Sequence, residues 1–276
     1  GATLATTSDT ILAGAGLSFS NSGTLRIGNG GTAGALAGPV VNQGTLRVER
    51  SGTLTLAGPV SGAGGIVIDS PKDVSTLELT ADNTFTGPIT INSGALRITR
   101  TTAIGPGAKT IHLTNGTAGK PRLLLDGAAG PINLPAGVSL RSSNNTAAGA
   151  IRNEAGNNSI AGDFTLTAGG GDTRVFVAAG TLTLGGSFTP NASNRGLILD
   201  GPGDGTLSGF LQDGGGYPLR MDKPATSTGS WRCTGANTHS GLTTLRGGRL
   251  LANGSFAGPI AVARGATLGG TGSVAA

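Results

Sequence analysis

The pentapeptide GTLRI at residues 23–27 recurs further along the chain as GTLRV at residues 44–48. Related units are GTLTL at residues 52–56 and 180–184, and GALRI at residues 94–98. Alternate residues of each unit are apolar, so the leucine and the last residue point to one face of a strand, and the arginine or threonine between them points to the other. The unit therefore predicts many short strands, each with one buried face.

A second unit, Gly-Pro followed by valine or isoleucine, predicts the corners between strands. Glycine can adopt positive φ, proline fixes φ and donates no hydrogen bond, and the β-branched residue begins the next strand. The Gly-Pro units begin at Gly38, Gly58, Gly87, Gly130 and Gly258. The spacing of the first two, like that of the GTLR units, gives a period of about 20 residues, which is the size of one coil of a β-solenoid.

The composition also favours an all-β chain. Glycine (52) and proline (13) together make up 65 of 276 residues, which excludes a mostly helical protein. Hydrophobic residues reach 37% and charged residues only 12%, the reverse of a disordered chain. Aromatic residues make up only 3% of the chain, as expected of a narrow interior filled by aliphatic and small side chains.

We therefore predict an all-β parallel solenoid that forms a single elongated domain over residues 1–276. At roughly 20 residues per coil the chain would form on the order of 13 coils, and at about 4.8 Å per coil these would extend about 60 Å. Two segments are expected to be irregular. Residues 142–158 are polar and predict a protruding loop or weakly patterned coil, and the glycine-rich residues 200–222 predict long turns on one side.

Two segments carry a more specific pattern. Residues 79–98 read LTADNTFTGPITINSGALRI, and residues 233–254 read CTGANTHSGLTTLRGGRLLANG. Both resemble the autotransporter-associated β-strand repeat of bacteria, in which an Asn-Thr-aromatic-Thr-Gly motif precedes an alternating strand. The positions that match this motif include Asn83 and Gly87 in the first segment, and Asn237 and Gly241 in the second. His239 replaces the expected aromatic residue.

The resemblance implies a right-handed parallel β-helix in a secreted or surface-displayed bacterial passenger, and it implies no particular activity. From the residue types, Asn83 and Asn237 are expected at corners, where their side-chain amides can bond adjacent coils. An extracellular or cell-surface location follows from the same resemblance. Since residue 1 is not methionine, we expect the chain to be part of a longer precursor.

A carbohydrate-facing cluster is the strongest candidate for a ligand site. Its members are the charged and aromatic residues in and after the glycine-rich segment: Asp200, Asp204, Asp213, Tyr217, Arg220 and Trp231. The competing interpretation is that these residues decorate exposed turns and that Trp231 fills a coil. No catalytic residues are assigned, because Gly-x-Ser-x-Gly is absent and the two histidines are far apart.

Metals, cofactors and nucleic acid are not expected as partners. Cys233, His112 and His239 are too few and too scattered for a zinc site, and Cys233 occupies an apolar position where it should be buried and unreactive. Calcium stays an alternative, because Asp200, Asp204, Asp213 and Asp222 supply oxygen ligands. The net charge of +5 comes from dispersed arginines, which indicates solubility rather than nucleic-acid binding. No membrane-length apolar run is present, so the chain itself should not be embedded in a membrane.

Three functions remain, in order of preference. The first is a structural rod or stalk at the cell surface that associates with itself head to tail into filaments through its open solenoid ends. The second is an adhesin or a carbohydrate-binding passenger module that recognises surface glycans. The third is a polysaccharide-cleaving enzyme, which is the least favoured.

Overall fold

The computed structural model describes residues 3–6, 11–12, 18–70, 75–114, 120–143 and 146–275. The chain is a parallel β-solenoid of about 10 turns, with about 23 residues per turn. Within the described residues, one short 3₁₀ helix, Thr101–Ile104, is the only helical element. Each turn contributes strands to the sheets that run along the solenoid.

Three long parallel sheets form the faces of the solenoid in the described part of the chain. The first sheet consists of Thr3–Thr6, Thr24–Ile27, Thr45–Val48, Gly65–Asp69, Ile89–Ser93, Lys109–Leu113, Val138–Ser142, Phe164–Leu166 and Phe188–Pro190. The second sheet consists of Thr53–Leu56, Thr76–Leu79, Ala95–Ile98, Arg122–Asp126, Ile151–Ala155, Thr173–Val177, Gly196–Asp200, Arg220–Lys223, Thr243–Leu245 and Ile260–Val262. The third sheet consists of Asn133–Leu134, Asn157–Ile160, Thr181–Leu184, Asp204–Leu207, Ser230–Cys233, Arg249–Ala252 and Thr267–Gly269.

Shorter strands form three small parallel sheets beside these faces. One pairs Ile11–Leu12 with Ala35–Leu36. Another stacks Phe19–Asn21, Val40–Asn42 and Val60–Ser61. The last stacks Ala236–Asn237, Ser255–Phe256 and Ser273–Val274. Two of these strands begin at the β-branched residue of a predicted Gly-Pro corner, as the sequence pattern requires.

The GTLR units stack on one another in register. Leu25 lies opposite Leu46, and Leu46 lies opposite Ile66, so the same inward position is apolar in successive coils. All three side chains are fully buried. One aromatic pair stacks in the same way, because Phe164 lies opposite Phe188 with ring centroids 4.1 Å apart. The core is therefore a continuous column of apolar layers, as parallel ladders with one buried face require.

The observed period of about 23 residues is longer than the predicted 20, and the turns number about 10 rather than 13. The prediction rests on the N-terminal coils, where Leu25 pairs with Leu46 and Leu46 pairs with Ile66. The middle coils are longer, as the pairing of Ile111 with Leu140 shows, because longer turns separate their strands. At about 4.8 Å per coil the stack is about 50 Å long, shorter than predicted.

Residues 142–158 are predicted to form a protruding loop or a weakly patterned coil, and their second half belongs to a coil rather than to a loop. Ile151–Ala155 and Asn157–Ile160 are strands of the second and third sheets. Two of the polar residues in this half, Asn153 and Asn158, are buried at a corner, where the side-chain amide of Asn158 donates to the Asn153 Oδ1 atom at 2.7 Å. The polarity of this segment therefore reflects a hydrogen-bonded corner.

Residues 200–222 are irregular only in their centre. Asp204–Leu207 and Arg220–Lys223 are regular strands, so the long turn is confined to residues 208–219. Within this turn Gly214 and Tyr217 form an isolated antiparallel bridge, whereas the strands described above pair in parallel.

A column of glycines follows the third sheet along one corner. It contains Gly162, Gly186, Gly209, Gly235, Gly254 and Gly272. From Gly186 onward, a Cβ atom on each of these glycines would overlap the backbone carbonyl oxygen of the glycine one coil before. Glycine is required here because the backbones of neighbouring coils approach too closely for any side chain.

Candidate functional site

Buried asparagines join adjacent coils at the corners. The Oδ1 atom of Asn83 accepts a hydrogen bond from the Val60 amide at 2.7 Å, and its Nδ2 atom donates to the Ala103 carbonyl. The Oδ1 atom of Asn237 accepts from the Leu211 amide at 3.0 Å, and its Nδ2 atom donates to the Ser255 carbonyl at 3.1 Å. Each amide thus satisfies backbone groups on the coils before and after its own, which makes it a structural group.

The two glycines of the repeat motif also have structural reasons to be glycine. A Cβ atom on Gly87 would overlap the carbonyl oxygen of Gly64, and one on Gly241 would overlap that of Leu219. The repeat positions are therefore positions of close contact between coils.

Replacing Asn83 with alanine should lower the free energy of unfolding by about 3 kcal/mol, because two buried backbone groups lose their partners. Asn157→Ala is the matched control, since the Asn157 side chain is exposed and accepts a hydrogen bond from the Thr181 hydroxyl rather than from a buried backbone group. Chemical denaturation of both variants measures the difference. An Asn83→Ala variant as stable as the control would show that this amide does not hold the coils together.

The predicted carbohydrate-facing residues do not form one cluster. Asp200 is buried in the second sheet and forms an ion pair with Arg174. Asp204 is exposed at the start of a third-sheet strand. Arg220 lies on the second sheet and contacts Asp172 at 2.9 Å. These residues are distributed over two faces of the solenoid, with Asp213 and Tyr217 in the long turn.

The assignment of Trp231 to a sugar-facing cluster is wrong, because its side chain is fully buried. Trp231 is an inward residue of the third sheet and lies opposite Gly205 of the preceding coil. A Cβ atom on Gly205 would lie 2.5 Å from the indole ring, so the glycine makes room for the tryptophan. Trp231 therefore fills a coil, the competing interpretation of its sequence position.

Asp213 organises the long turn. Its Oδ1 atom accepts hydrogen bonds from the backbone amides of Leu219 at 2.8 Å and Ser240 at 3.1 Å. Partial burial raises the pKa of Asp213, but the hydrogen bonds from Ser240 and Leu219 outweigh this effect and lower the pKa below its ordinary value. The carboxylate thus joins two coils through hydrogen bonds to their backbones.

His239, which stands where the repeat has an aromatic residue, is fully buried. Its Nε2 atom lies 2.9 Å from the Thr243 hydroxyl, and its ring packs edge-on against Phe256 at 5.9 Å. Burial lowers the pKa of His239, although the nearby charge of Asp213 acts in the opposite direction. The imidazole therefore takes the aromatic position as a neutral ring.

Two lysines lie inside the solenoid, which the sequence analysis missed. The Nζ atom of Lys109 donates to the carbonyls of Phe85 at 2.8 Å and of Ile104, and that of Lys223 donates to the Ser227 hydroxyl. Burial lowers the pKa of each lysine to about 8. The alternation of buried and exposed residues along each strand could have revealed both lysines, because each occupies a position whose side chain points inward.

Cys233 is buried in the third sheet, as its apolar position predicts. Burial raises the pKa of its thiol to about 12. The thiol stays protonated at neutral pH and is therefore a poor nucleophile.

Grooves on the outer faces differ in how their charges are paired. A groove of about 310 Å³ on the second sheet contains the ion pairs Arg220–Asp172 and Arg246–Asp222. A groove of about 300 Å³ contains Arg100 and Asp82, 3.5 Å apart. The largest of these grooves, about 400 Å³, lies on the third sheet. It is lined by Asp204, Thr206, Ser230, Arg232, Thr234 and Leu251.

The calcium alternative has no cluster of ligands in the described part of the chain. There, no three histidine, cysteine, aspartate or glutamate side chains come close enough to share a metal ion. Asp200 and Asp222 instead pair with Arg174 and Arg246.

None of the helical residues that the structure describes forms a segment long and apolar enough to cross a bilayer.

The fold and its corners define a parallel β-solenoid whose sequence repeats encode contacts between coils. The family model of the passenger-associated-transport-repeat matches residues 74–98 and 226–252, which contain most of the two segments singled out from sequence. The adhesin BmaC autotransporter of Brucella suis biovar 1 (strain 1330) is 55% identical over 42 residues, which cover 15% of this chain and 1% of that relative. No solved structure matches this chain.

These findings confirm the resemblance to autotransporter passenger repeats. The chain is a parallel β-solenoid that contains two segments similar to passenger repeats, and these similarities imply an extracellular or cell-surface location. The same similarities favour a non-enzymatic structural role.

Proposed function

We propose that this chain is a rigid scaffold segment, a rod or stalk, of a surface-displayed bacterial passenger, and that it catalyses no reaction. The continuous column of buried apolar layers carries the proposal, because it holds every coil to its neighbours. Leu96, for example, is fully buried and lies between Leu77 of one adjacent coil and Leu123 of the other. In such a body each coil is a spacer unit whose stability comes mainly from the coils next to it.

Deletion of one whole coil tests the scaffold role. Residues 164–187 make up one complete coil, because Phe164 and Phe188 occupy the same position in successive coils. The shortened chain should fold cooperatively, because Phe188 then takes the place of Phe164. Deletion of residues 164–175 is the control, since it removes about half a coil and breaks the register. Equal loss of cooperative thermal unfolding in both variants would contradict a modular scaffold.

We propose self-association into filaments as a second role, supported by the last described coil. Val262 and Val274 are 46% and 40% exposed, and both lie in strands that have a described partner on one side only. Apolar side chains beside unpaired backbone groups are suited to pair with another strand. The occupant we propose is a second copy of this chain, added head to tail.

The 276-residue chain should therefore form fibres visible by electron microscopy as its concentration rises. The double replacement Val262→Arg and Val274→Arg should abolish them. Leu242→Arg is the matched control, because Leu242 is similarly exposed, at 44%, but its coil has partners on both sides. A monodisperse monomer at all concentrations would refute the filament proposal and leave the scaffold proposal intact.

An adhesive role is the alternative, since the relative described above is named an adhesin. In this role the outer face of the solenoid, rather than its ends, would make the contacts. The third-sheet groove of about 400 Å³ is the place where such contacts would be expected.

A further inference from the structure

The outer surface of the third sheet changes in character along the solenoid. Its earlier outward positions carry small polar side chains: Asn133, Asn157, Ser159, Thr181 and Thr183. Charged residues enter in the coils of Asp204 and Arg232. The third-sheet groove of about 400 Å³ begins at this transition.

Arg232 is a cation without a partner in this groove. Its side chain is exposed, and its guanidinium forms no ion pair or hydrogen bond with the residues that the structure describes. Arg249, on the next coil, is also exposed, and its guanidinium has no partner in the described part of the chain. The arginines of the smaller grooves, by contrast, each hold a carboxylate. A ligand anion at the third sheet therefore need not displace an existing ion pair.

The register places the two arginines near each other. Ser230 lies opposite Arg249, and Arg232 lies two residues beyond Ser230 on the same strand and the same outer face. The Cα atoms of the two arginines should be about 8 Å apart, because neighbouring strands are about 4.8 Å apart and two residues advance about 6.6 Å along a strand. Each guanidinium can bind a carboxylate or sulfate through two parallel hydrogen bonds. The pair is thus suited to a ligand with repeated anionic groups.

The rest of the groove is suited to hydroxyl groups. Asp204 accepts a hydrogen bond from the Ser230 amide at 2.8 Å through its Oδ1 atom, and its Oδ2 atom has no described hydrogen-bond partner. Thr206 and Thr234 add hydroxyls that can both donate and accept. The Asp204 carboxylate and these hydroxyls can accept hydrogen bonds from the hydroxyl groups of a sugar.

We propose that the third-sheet groove, together with Arg249 beside it, binds an acidic polysaccharide. Arg232 and Arg249 hold its carboxylate or sulfate groups, and Asp204 accepts a hydrogen bond from a sugar hydroxyl. Nucleic acid fits less well, because no aromatic side chain lines the groove to stack on bases. The proposal deepens the adhesive alternative and is independent of the scaffold role. Failure of the coil-deletion test would leave it standing, and the absence of binding would leave the scaffold standing.

Titration of the full chain with polygalacturonate, a uronate polymer, tests the proposal at physiological salt. Saturable binding is expected, and Arg232→Gln and Arg249→Gln should each weaken it about tenfold through the loss of a charge-assisted contact. Arg246→Gln is the matched control: it removes the same charge from an exposed arginine that is paired with Asp222 on the second sheet. If Arg246→Gln weakened the binding of polygalacturonate equally, the proposed site would be overturned, because the binding would then depend only on the net charge of the chain.

Asp204→Asn separates sugar recognition from simple attraction between opposite charges. The amide oxygen can still accept from the Ser230 amide, so the strand should remain folded. Binding of polygalacturonate should fall several-fold although the groove becomes more positive, because the neutral amide is a weaker acceptor for a sugar hydroxyl. Tighter binding would overturn the role of Asp204.

Sulfated dextran should bind if sulfate can replace the uronate carboxylate. Duplex DNA that bound as tightly as polygalacturonate would overturn the choice of a polysaccharide.

Discussion

Gly209→Ala is expected to lower the free energy of unfolding by about 3 kcal/mol or more, or to prevent folding altogether. Gly209 lies in the glycine column, where its added Cβ atom would overlap the carbonyl oxygen of Gly186. That oxygen belongs to the backbone of the neighbouring coil and cannot move without disturbing the ladder. A single methyl group should therefore push two coils apart.

Gly130→Ala is the control for this prediction. A Cβ atom on Gly130 would meet no atom within 4 Å, and its φ lies outside the range that L residues avoid. Its stability should change by less than about 1 kcal/mol, with a small gain expected from the reduced entropy of the unfolded chain. Urea denaturation measures both variants. If Gly209→Ala is as stable as Gly130→Ala, the coils are not in close contact at this corner.

Stability should rise as the pH increases above about 8, because of the two buried lysines. Burial lowers the pKa values of Lys109 and Lys223 from 10.5 to about 8 in the folded protein. Between these values the unfolded chain binds more protons than the folded chain, and the free energy of unfolding therefore increases with pH. The full effect is on the order of 3 kcal/mol per lysine.

Cys233 acts in the opposite direction at higher pH. Burial raises the pKa of its thiol from 9.0 to about 12, so the unfolded chain loses a proton first and stability falls above pH 9. The measurement is denaturation at pH 7 to 10.5 in a Cys233→Ala background, which removes this opposing contribution. The further replacements Lys109→Met and Lys223→Met should abolish the rise. A rise that persists in their absence would show that other groups cause it.

The strands and corners could be predicted where the local pattern repeats. GTLR and Gly-Pro units locate the early coils because alternation and backbone preference act within a few residues. The strands within residues 142–158 were not predicted, because a buried asparagine and an exposed one look alike until their partners are known. The buried Asn158 side chain, for instance, accepts a hydrogen bond from the backbone amide of Ile132, 26 residues earlier in the chain.

The candidate groove could not be predicted for a related reason. Which arginines have partners depends on the register between coils, and the coils differ in length. Arg97 pairs with Glu78 of the coil before it and with Asp126 of the coil after it. Glu78 is 19 residues away along the chain, whereas Asp126 is 29 residues away. The arginines recur singly in strand-like segments of the sequence, but only the stacked structure shows that Arg232 lacks a partner among the described residues.

Distances between spin labels along the first sheet test the stacked solenoid most directly. Val67, Thr90, Thr165 and Thr189 occupy one outward column, in which each register pair advances by one coil. The pairs Thr90/Thr165, Thr90/Thr189 and Val67/Thr189 span three, four and five coils. Their backbone separations should be about 14, 19 and 24 Å, with narrow distributions, because each coil adds about 4.8 Å. Distances that do not increase with the number of intervening coils would contradict the solenoid on which the proposed functions depend.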